Sequence, residues 1–246
     1  MLCYVYQLGQ VAYREAYRLQ TDLLSRRING DIGDTLLLLE HPPTITVGKS
    51  GRVENILVSP AELAEKGIPL FFVDRGGDVT YHGPGQLVGY PIIDLKNRGK
   101  DLHQYVHNLE EAVIRTLDDF GIRGGRDRSH RGVWVKQREI AAIGLRVSKW
   151  VTVHGFALNI DADLAPFSLI NPCGFSDRGA TSMAEVLGRE IAMTAVTERL
   201  LARFAEVFQV RLETGSDNLA RAVVNNKGRD TLTRCSAYES QATVLV

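Results

Sequence analysis

The order of apolar and polar positions divides the chain into short strands and a few amphipathic helices. Residues 2–7 read as a strand. Val11, Ala12, Ala16, Leu19, Leu23 and Leu24 fall at helical spacing across residues 11–28, and Asn29-Gly30 ends that run. Leu36 to Leu39 is a continuous apolar stretch, the pattern of a strand buried on both faces, and Pro42-Pro43 breaks it. Thr44 to Val47 predicts a second strand and residues 60–66 a short helix. Leu87 to Leu95 predicts another strand. Residues 101–120 predict an amphipathic helix with Leu102, Val106, Leu109, Val113, Leu117 and Phe120 inside. Val133 to Val135 and Ile140 to Val147 predict a hairpin with Lys136 to Glu139 at its turn, followed by a strand over Val151 to Ile160. Ser182-Met183-Ala184-Glu185 has the capping-box spacing, so a helix starts there and stops at Gly188. A longer helix runs from Thr194 to Val207.

Strands and helices interleave without a linker or a repeat. They predict an α+β domain with a mixed, mostly antiparallel sheet over residues 1–210, and a polar, irregular tail over 211–246 with room for one added strand. The length of 246 residues suits one such domain. With 29 basic and 29 acidic residues the net charge is +0, which argues against a general nucleic-acid or membrane-surface binder. Cys3, Cys173 and Cys235 are far apart and form no C-x-x-C, so neither a disulfide framework nor a zinc site is predicted. The start of the chain has no basic segment before a long apolar run, and no segment has the length of a membrane span, so the expected location is the cytoplasm.

Two stretches carry chemistry. Arg75 to Gln86 packs four glycines around Thr80, Tyr81 and His82, which brings backbone close to a ligand or allows positive φ. A pair of tight turns needs the glycines but not the four hydrogen-bonding side chains Arg75, Tyr81, His82 and Gln86. Asn171-Pro172-Cys173-Gly174 sets a cysteine in irregular backbone, where a loop can present a thiol and aim N–H groups at an oxyanion. A lone cysteine is otherwise a small buried hydrophobe, the reading kept for Cys3 and Cys235. Gly48-Lys49-Ser50 fails as a phosphate-binding loop because Pro43 stands where the first glycine is needed, and Gly83-x-Gly85 is followed by Gly89 one residue too late for a dinucleotide fingerprint. His103 and His107 lie four apart on a helix, but Gln104 replaces the glutamate of the zinc-protease motif, and a solvated pair is the preferred reading.

Taken together these residues resemble the lipoyl(octanoyl) transferase family. The resemblance rests on four ordered blocks: Arg75 to Gln86, Ala141-Ala142-Ile143-Gly144, His154 to Asn159, and Asn171 to Gly174. Glu40-His41-Pro42-Pro43 and Thr181-Ser182 also fit. It implies a biotin/lipoate protein ligase-like fold. It further implies an acyltransferase that moves an octanoyl group from octanoyl-acyl carrier protein to a lysine of lipoyl domains, those of 2-oxoacid dehydrogenases and the glycine cleavage H protein. The acyl group would pass through a thioester on Cys173, without ATP and without a cofactor or metal. The acyl site would be lined by Arg75, Gly76, Gly77, Asp78, Val79, Thr80, Tyr81 and His82, by Ala142, Ile143 and Gly144, and by Gly155, Phe156 and Ala157.

One position departs from the family. A lysine that lowers the cysteine's pKa stands before the Ile-x-x-Ile-Gly block in relatives, and here that position is Glu139. A cation favours a thiolate and an anion disfavours it. Three explanations are open: a register shift that points Lys136 or Arg138 inward, another base such as His82 or Lys149, or an impaired relative. Glu139 as a general base with a raised pKa is a further option, against the plain reading of a solvated turn residue. The rival functions are an ATP-dependent lipoate ligase and a carrier-binding protein without catalysis.

Overall fold

Residues 1–127, 130–171 and 179–215 are described by the structure, a computed structural model. In chain order the elements are β1 (Leu2–Gln10), α1 (Tyr13–Asn29), β2 (Asp34–Glu40), β3 (Thr44–Val47), α2 (Pro60–Glu65), β4 (Leu70–Phe72), β5 (Val79–His82), β6 (Gln86–Ile92), α3 (Leu102–Asp119), β7 (Gly132–Val135), β8 (Arg138–Ser148), β9 (Val151–Asn159), α4 (Met183–Leu187), α5 (Met193–Phe208) and β10 (Arg211–Thr214). Seven strands form one sheet in the order β10-β1-β2-β6-β9-β8-β7, and three form a second in the order β4-β3-β5. In the large sheet β1 runs parallel to β10 and β2, and the other pairs are antiparallel. The α+β class and the mixed sheet agree with the sequence reading; the separate small sheet was not foreseen.

Helices cover the large sheet on both faces, which is why β2, β6 and β9 read as near-continuous apolar runs. On one face α3 and α5 pack Leu109, Val113, Leu117, Leu200 and Phe204 against Leu36, Leu38, Phe156 and Leu158. On the other, α1 packs Ala16, Leu19 and Leu23 against Leu37, Val88, Tyr90 and Ala157. A third cluster lies under the small sheet and contains Ile45, Val47, Val79 and Tyr81.

The helix ends follow their caps. Gly30 at φ 83° returns its N–H to the carbonyls of Arg26 and Arg27 and stops α1. Asp101 accepts the N–H of Gln104 at 2.9 Å and starts α3. Leu102, expected inside, is exposed: at the first helical position it points away from the sheet. The predicted capping box at Ser182 forms only in half. Ser182 accepts from Glu185 N, but the Glu185 carboxylate turns to the Arg138 guanidinium, a charged partner, and to the Thr181 hydroxyl. A complete box forms instead at Ser59 and Glu62.

The β7–β8 turn is tighter than expected. It consists of Lys136 and Gln137, with Lys136 at φ 57°, so Arg138 and Glu139 belong to β8. An irregularity in the β7–β8 register leaves Ile140 between the pairs Trp134–Glu139 and Val133–Ala141. This bulge lets Ile140 enter the core while Glu139 turns to the other side.

Candidate active site

Three of the four motif blocks, Arg75 to Gln86, Ala141 to Gly144 and His154 to Asn159, meet at one pocket between the α1 face of the large sheet and the small sheet. Its floor is Val88 and Tyr90 of β6, Ala142, Ile143 and Gly144 of β8, and Gly155, Phe156 and Ala157 of β9. Its roof is Arg75 and Gly77 to Thr80, with Tyr13 and His82 at the side and Arg131 and Glu139 at one end. Two predicted residues lie off the lining. Tyr81 points into the small-sheet core, edge-on to Phe167 at 5.5 Å, because strand alternation sends Thr80 and His82 to the pocket and Tyr81 away from it. Gly76 lies behind the roof, its N–H bonded to Leu145 O at 2.9 Å.

That bond ties the glycine-rich stretch to β8, and Gly144 makes it possible. A Cβ on Gly144 would sit 2.8 Å from Gly76 O and 3.3 Å from Arg75 Cδ. The glycine therefore serves a close backbone approach rather than a turn.

Arg75 is buried. Its guanidinium donates to Thr46 O at 2.8 Å, to Thr46 Oγ1 at 2.9 Å and to Gly76 O at 3.0 Å. Such bonds fix the guanidinium over the pocket. His82 is held by a chain of buried amides. Gln86 Nε2 donates to Tyr81 O and to Asn159 Oδ1, which leaves Gln86 Oε1 to accept the His82 Nδ1–H at 2.7 Å. Asn159 in turn donates to Thr181 O. Burial above all, with His41 adding to it, pushes the His82 imidazole down to about 3. It is neutral at pH 7 and a poor proton acceptor.

Glu139 is the other ionisable group that matters here. Burial raises its carboxyl from the ordinary 4.5 to about 7, while the Arg75 charge pulls the other way. One carboxylate oxygen lies against Gly132, where a Cβ would sit 2.8 Å from it, so a glycine at 132 keeps room for the acid. The plain reading of Glu139 as a solvated turn residue is thus corrected. The register-shift alternatives do not reach the pocket, since Lys136 and Arg138 are exposed, with Arg138 on Glu185 at 2.6 Å; nor does the other candidate base Lys149, exposed in the β8–β9 turn.

Cys173 lies outside the described residues, as does Cys235. The described chain on either side of residues 172–178 is bonded to residues that line the pocket or contact its lining. Asn171 N–H donates to Asn55 O at 2.7 Å, and Asn55 also donates to the Asp78 carboxylate. After the segment, Glu139 N–H donates to Gly179 O at 3.1 Å, and Thr181 N–H donates to Glu139 O at 2.9 Å.

Several lining residues had no signal in the sequence: Tyr13, Val88, Tyr90 and Arg131 come from elements that looked structural. His154 was part of a motif block but not a site residue. It has φ 61° within β9. By alternation its ring would join Phe156 and Leu158 in the α3/α5 core. Instead it stacks on Tyr17 of α1 at 5.7 Å and lines the pocket. His103 and His107 lie on α3, away from the pocket lining, and His103 Nδ1 takes an N–H of Arg131. Among the described residues no cluster of three metal-ligating side chains forms, and no helix is long and apolar enough to cross a membrane.

Residues 12–205 match the lipoyl protein ligase A/B catalytic domain family. An octanoyltransferase of Chloroflexus aurantiacus is 52% identical over 207 residues, covering 83% of this chain and 93% of its own. One of Desulforamulus reducens is 42% identical over 228 residues, covering 92% and 100%. Among solved structures, a lipoate-protein ligase A bound with ATP superposes with a TM-score of 0.73 at 17% identity, covering 92% of this chain and 96% of that one. A biotin protein ligase from Aquifex aeolicus with biotin and ATP gives 0.53 at 16% identity, covering 84% and 70%. These structures share the fold, and the closer sequence relatives narrow the assignment: the chain belongs to the octanoyltransferases of the lipoyl protein ligase A/B catalytic domain family.

Proposed function

We propose that this acyltransferase moves an octanoyl group from octanoyl-acyl carrier protein to a lysine of a lipoyl domain through a thioester on Cys173. The observation that carries the reading is the meeting of the three motif blocks in one pocket. Of the two chain ends flanking the Cys173 segment, Gly179 is bonded to Glu139 of the lining, and Asn171 to Asn55, whose side chain bonds Asp78 of the lining. The Cys173 sulfur attacks the donor thioester carbonyl, a new thioester forms, and the carrier thiol leaves. The acceptor amine then attacks the acyl-cysteine, an amide forms, and the cysteine thiol is restored. A thioester supplies the driving force for the amide, so no nucleotide enters.

Glu139 takes the proton that the nucleophile sheds in each step. Among the ionisable groups lining the pocket, Arg75 and Arg131 stay charged, His82 is too weak a base, burial lowers the His154 imidazole, whose Nε2 is on Asp74, burial holds the Tyr90 phenol well above its usual range, and the Asp78 carboxylate is occupied by Arg52 N and Asn55. A carboxyl poised at about 7 is populated in both forms at neutral pH, as a general base that must also return its proton requires. This differs from an arrangement with lysine at position 139: a cation stabilises a standing thiolate, whereas Glu139 accepts the proton during attack. Acyl chains lie over Ala142 to Gly144 and Gly155 to Ala157, beneath Gly77 and Arg75.

Intact-protein mass spectrometry after mixing with octanoyl-acyl carrier protein, without ATP, tests the reading. A single octanoyl adduct that passes to a lipoyl domain, and is absent in Cys173→Ser, is expected. Transfer that depends on ATP would make the protein a ligase. Carrier binding without an adduct would make it a non-catalytic relative, and Glu139→Lys would then restore acylation.

A further inference from the structure

Gly48-Lys49-Ser50 fails as a phosphate-binding loop, but it opens a segment with another use. Residues 48–57 link the roof of the pocket to the chain that leads into Cys173. At the roof, Gly48 N–H donates to Asp78 O at 3.0 Å, Lys49 N–H to Arg75 O at 2.9 Å and Ser50 N–H to Gly77 O at 3.2 Å. Beyond a short turn, Leu57 N–H donates to Leu169 O at 2.9 Å, Asn171 N–H donates to Asn55 O at 2.7 Å, and Ile56 pairs antiparallel with Ile170. Cys173 follows Asn171 by two residues, so covalent reach alone keeps the two Cα atoms within about 7 Å.

The outward side chains of this segment do not serve the core. Val53 is 46% exposed and Leu57 58%, two of the six large apolar side chains exposed among the described residues. Lys49 and Arg52 are exposed as well and form no ion pair among the described residues. They outnumber Glu54, the exposed acid between them and Leu57. Backbone bonds therefore hold the segment in place while its surface stays apolar at two positions and cationic at two others. That composition suits a protein face with carboxylates around an apolar contact.

Reach decides which protein substrate rests there. A lysine side chain extends only about 6 Å from its Cα. Reacting atoms must approach to about 3 Å, so the acceptor backbone has to come within roughly 10 Å of the acyl carbonyl on Cys173. The acceptor therefore presses on whatever borders the cysteine segment, and residues 53–57 border it. A carrier's acyl group rides on a longer prosthetic arm, which leaves its body free to rest farther off. We infer that the outward face of residues 49–57 is the docking surface for the acceptor lipoyl domain. The domain sets an apolar contact on Val53 and Leu57 and carboxylates beside Lys49 and Arg52, while its lysine reaches the acyl-cysteine. This rests on the acyl-transfer reading above.

The test separates the two half-reactions. Acyl-enzyme is formed from octanoyl-acyl carrier protein, freed of carrier, and chased with a lipoyl domain or with hydroxylamine, a small amine that needs no docking. Intact-protein mass spectrometry follows the loss of the octanoyl adduct. Leu57→Asp and Lys49→Glu should load, and should yield to hydroxylamine, at the wild-type rate. Transfer to the lipoyl domain should fall about tenfold in kcat/KM in each variant, mostly through KM. Added salt should slow wild-type transfer to the domain and affect Lys49→Glu less. Unchanged transfer to the domain overturns the inference. So does a loss confined to loading by the carrier, which would give the surface to the donor. If the wild type forms no acyl-enzyme, the acyl-transfer reading fails. In that case, or if a variant reacts slowly with hydroxylamine, chemical-shift titration of an isotope-labelled lipoyl domain decides docking by itself. Binding to the wild type that weakens about tenfold in both variants supports the inference, and equal affinities overturn it.

Discussion

Replacing Glu139 with glutamine isolates the most unusual group in the pocket. In the unfolded chain its carboxyl titrates near 4.5, and in the folded protein near 7. Below 4.5 both states hold the proton and the group has no effect on stability. Between 4.5 and 7 the unfolded chain releases its proton while the folded protein keeps it, so rising pH favours unfolding. Each pH unit in that window costs about 1.4 kcal/mol. The full loss is at most about 3 kcal/mol, and partial exposure of the residue lets water screen some of it. Glutamine keeps the size and cannot ionise. Urea unfolding of both proteins at several pH values is the assay, since a difference between them cancels every other titrating group. The Glu139→Gln protein should match the wild type near pH 4 and exceed it by about 2–3 kcal/mol at pH 8. A difference that stays flat across the window would show that the carboxyl is not desolvated in the folded state. A difference of the opposite sign would show that Arg75 dominates over burial.

Gly144→Ala should force Gly76 and Arg75 away from β8, since its Cβ would meet Gly76 O at 2.8 Å. Overpacking of this kind costs about 1–3 kcal/mol in thermal or urea unfolding, and kcat/KM for octanoyl transfer should fall with it. Gln86→Leu should strand the His82 Nδ1–H and the Asn159 carbonyl in the interior, at about 1–3 kcal/mol per orphaned group by urea unfolding. Leu102→Ser should change stability by less than about 0.5 kcal/mol, whereas Leu109→Ala on the buried face should cost about 2–5 kcal/mol. Equal effects of the last two would refute the helix phase described for α3.

The long elements were legible because their pattern is period-specific. Leu109, Val113 and Leu117 at helical spacing could only be one face of α3, and the unbroken Leu36–Leu39 run announced a strand covered on both sides. The site blocks were legible as well, since glycines and hydrogen-bonding side chains in alternation serve no packing purpose. Position 139 was not. Whether Glu139 is a turn residue or a strand residue depends on a two-residue turn and a bulge at Ile140, and neither leaves a mark in the composition. The small sheet was missed because β4 and β5 are three and four residues long, and β5 sits between Gly76-Gly77 and Gly83. His154 was hidden for a different reason. Its φ reverses the side-chain alternation of β9, so pattern reading assigns it to the wrong face.

The pairing of β10 with β1 has a consequence for how the chain is made. Arg211 N–H donates to Met1 O and Gly215 N–H to Val5 O, so the first strand is covered by one of the last described. A ribosome releases β1 some two hundred residues before β10. Throughout that interval β1 can gain β2 on one side, but its other edge keeps unpaired N–H and C=O groups, an invitation to other nascent chains. The non-local pair also closes slowly once available. The edge that stays open longest during synthesis therefore lies toward the opposite end of the sheet from β8 and its Glu139.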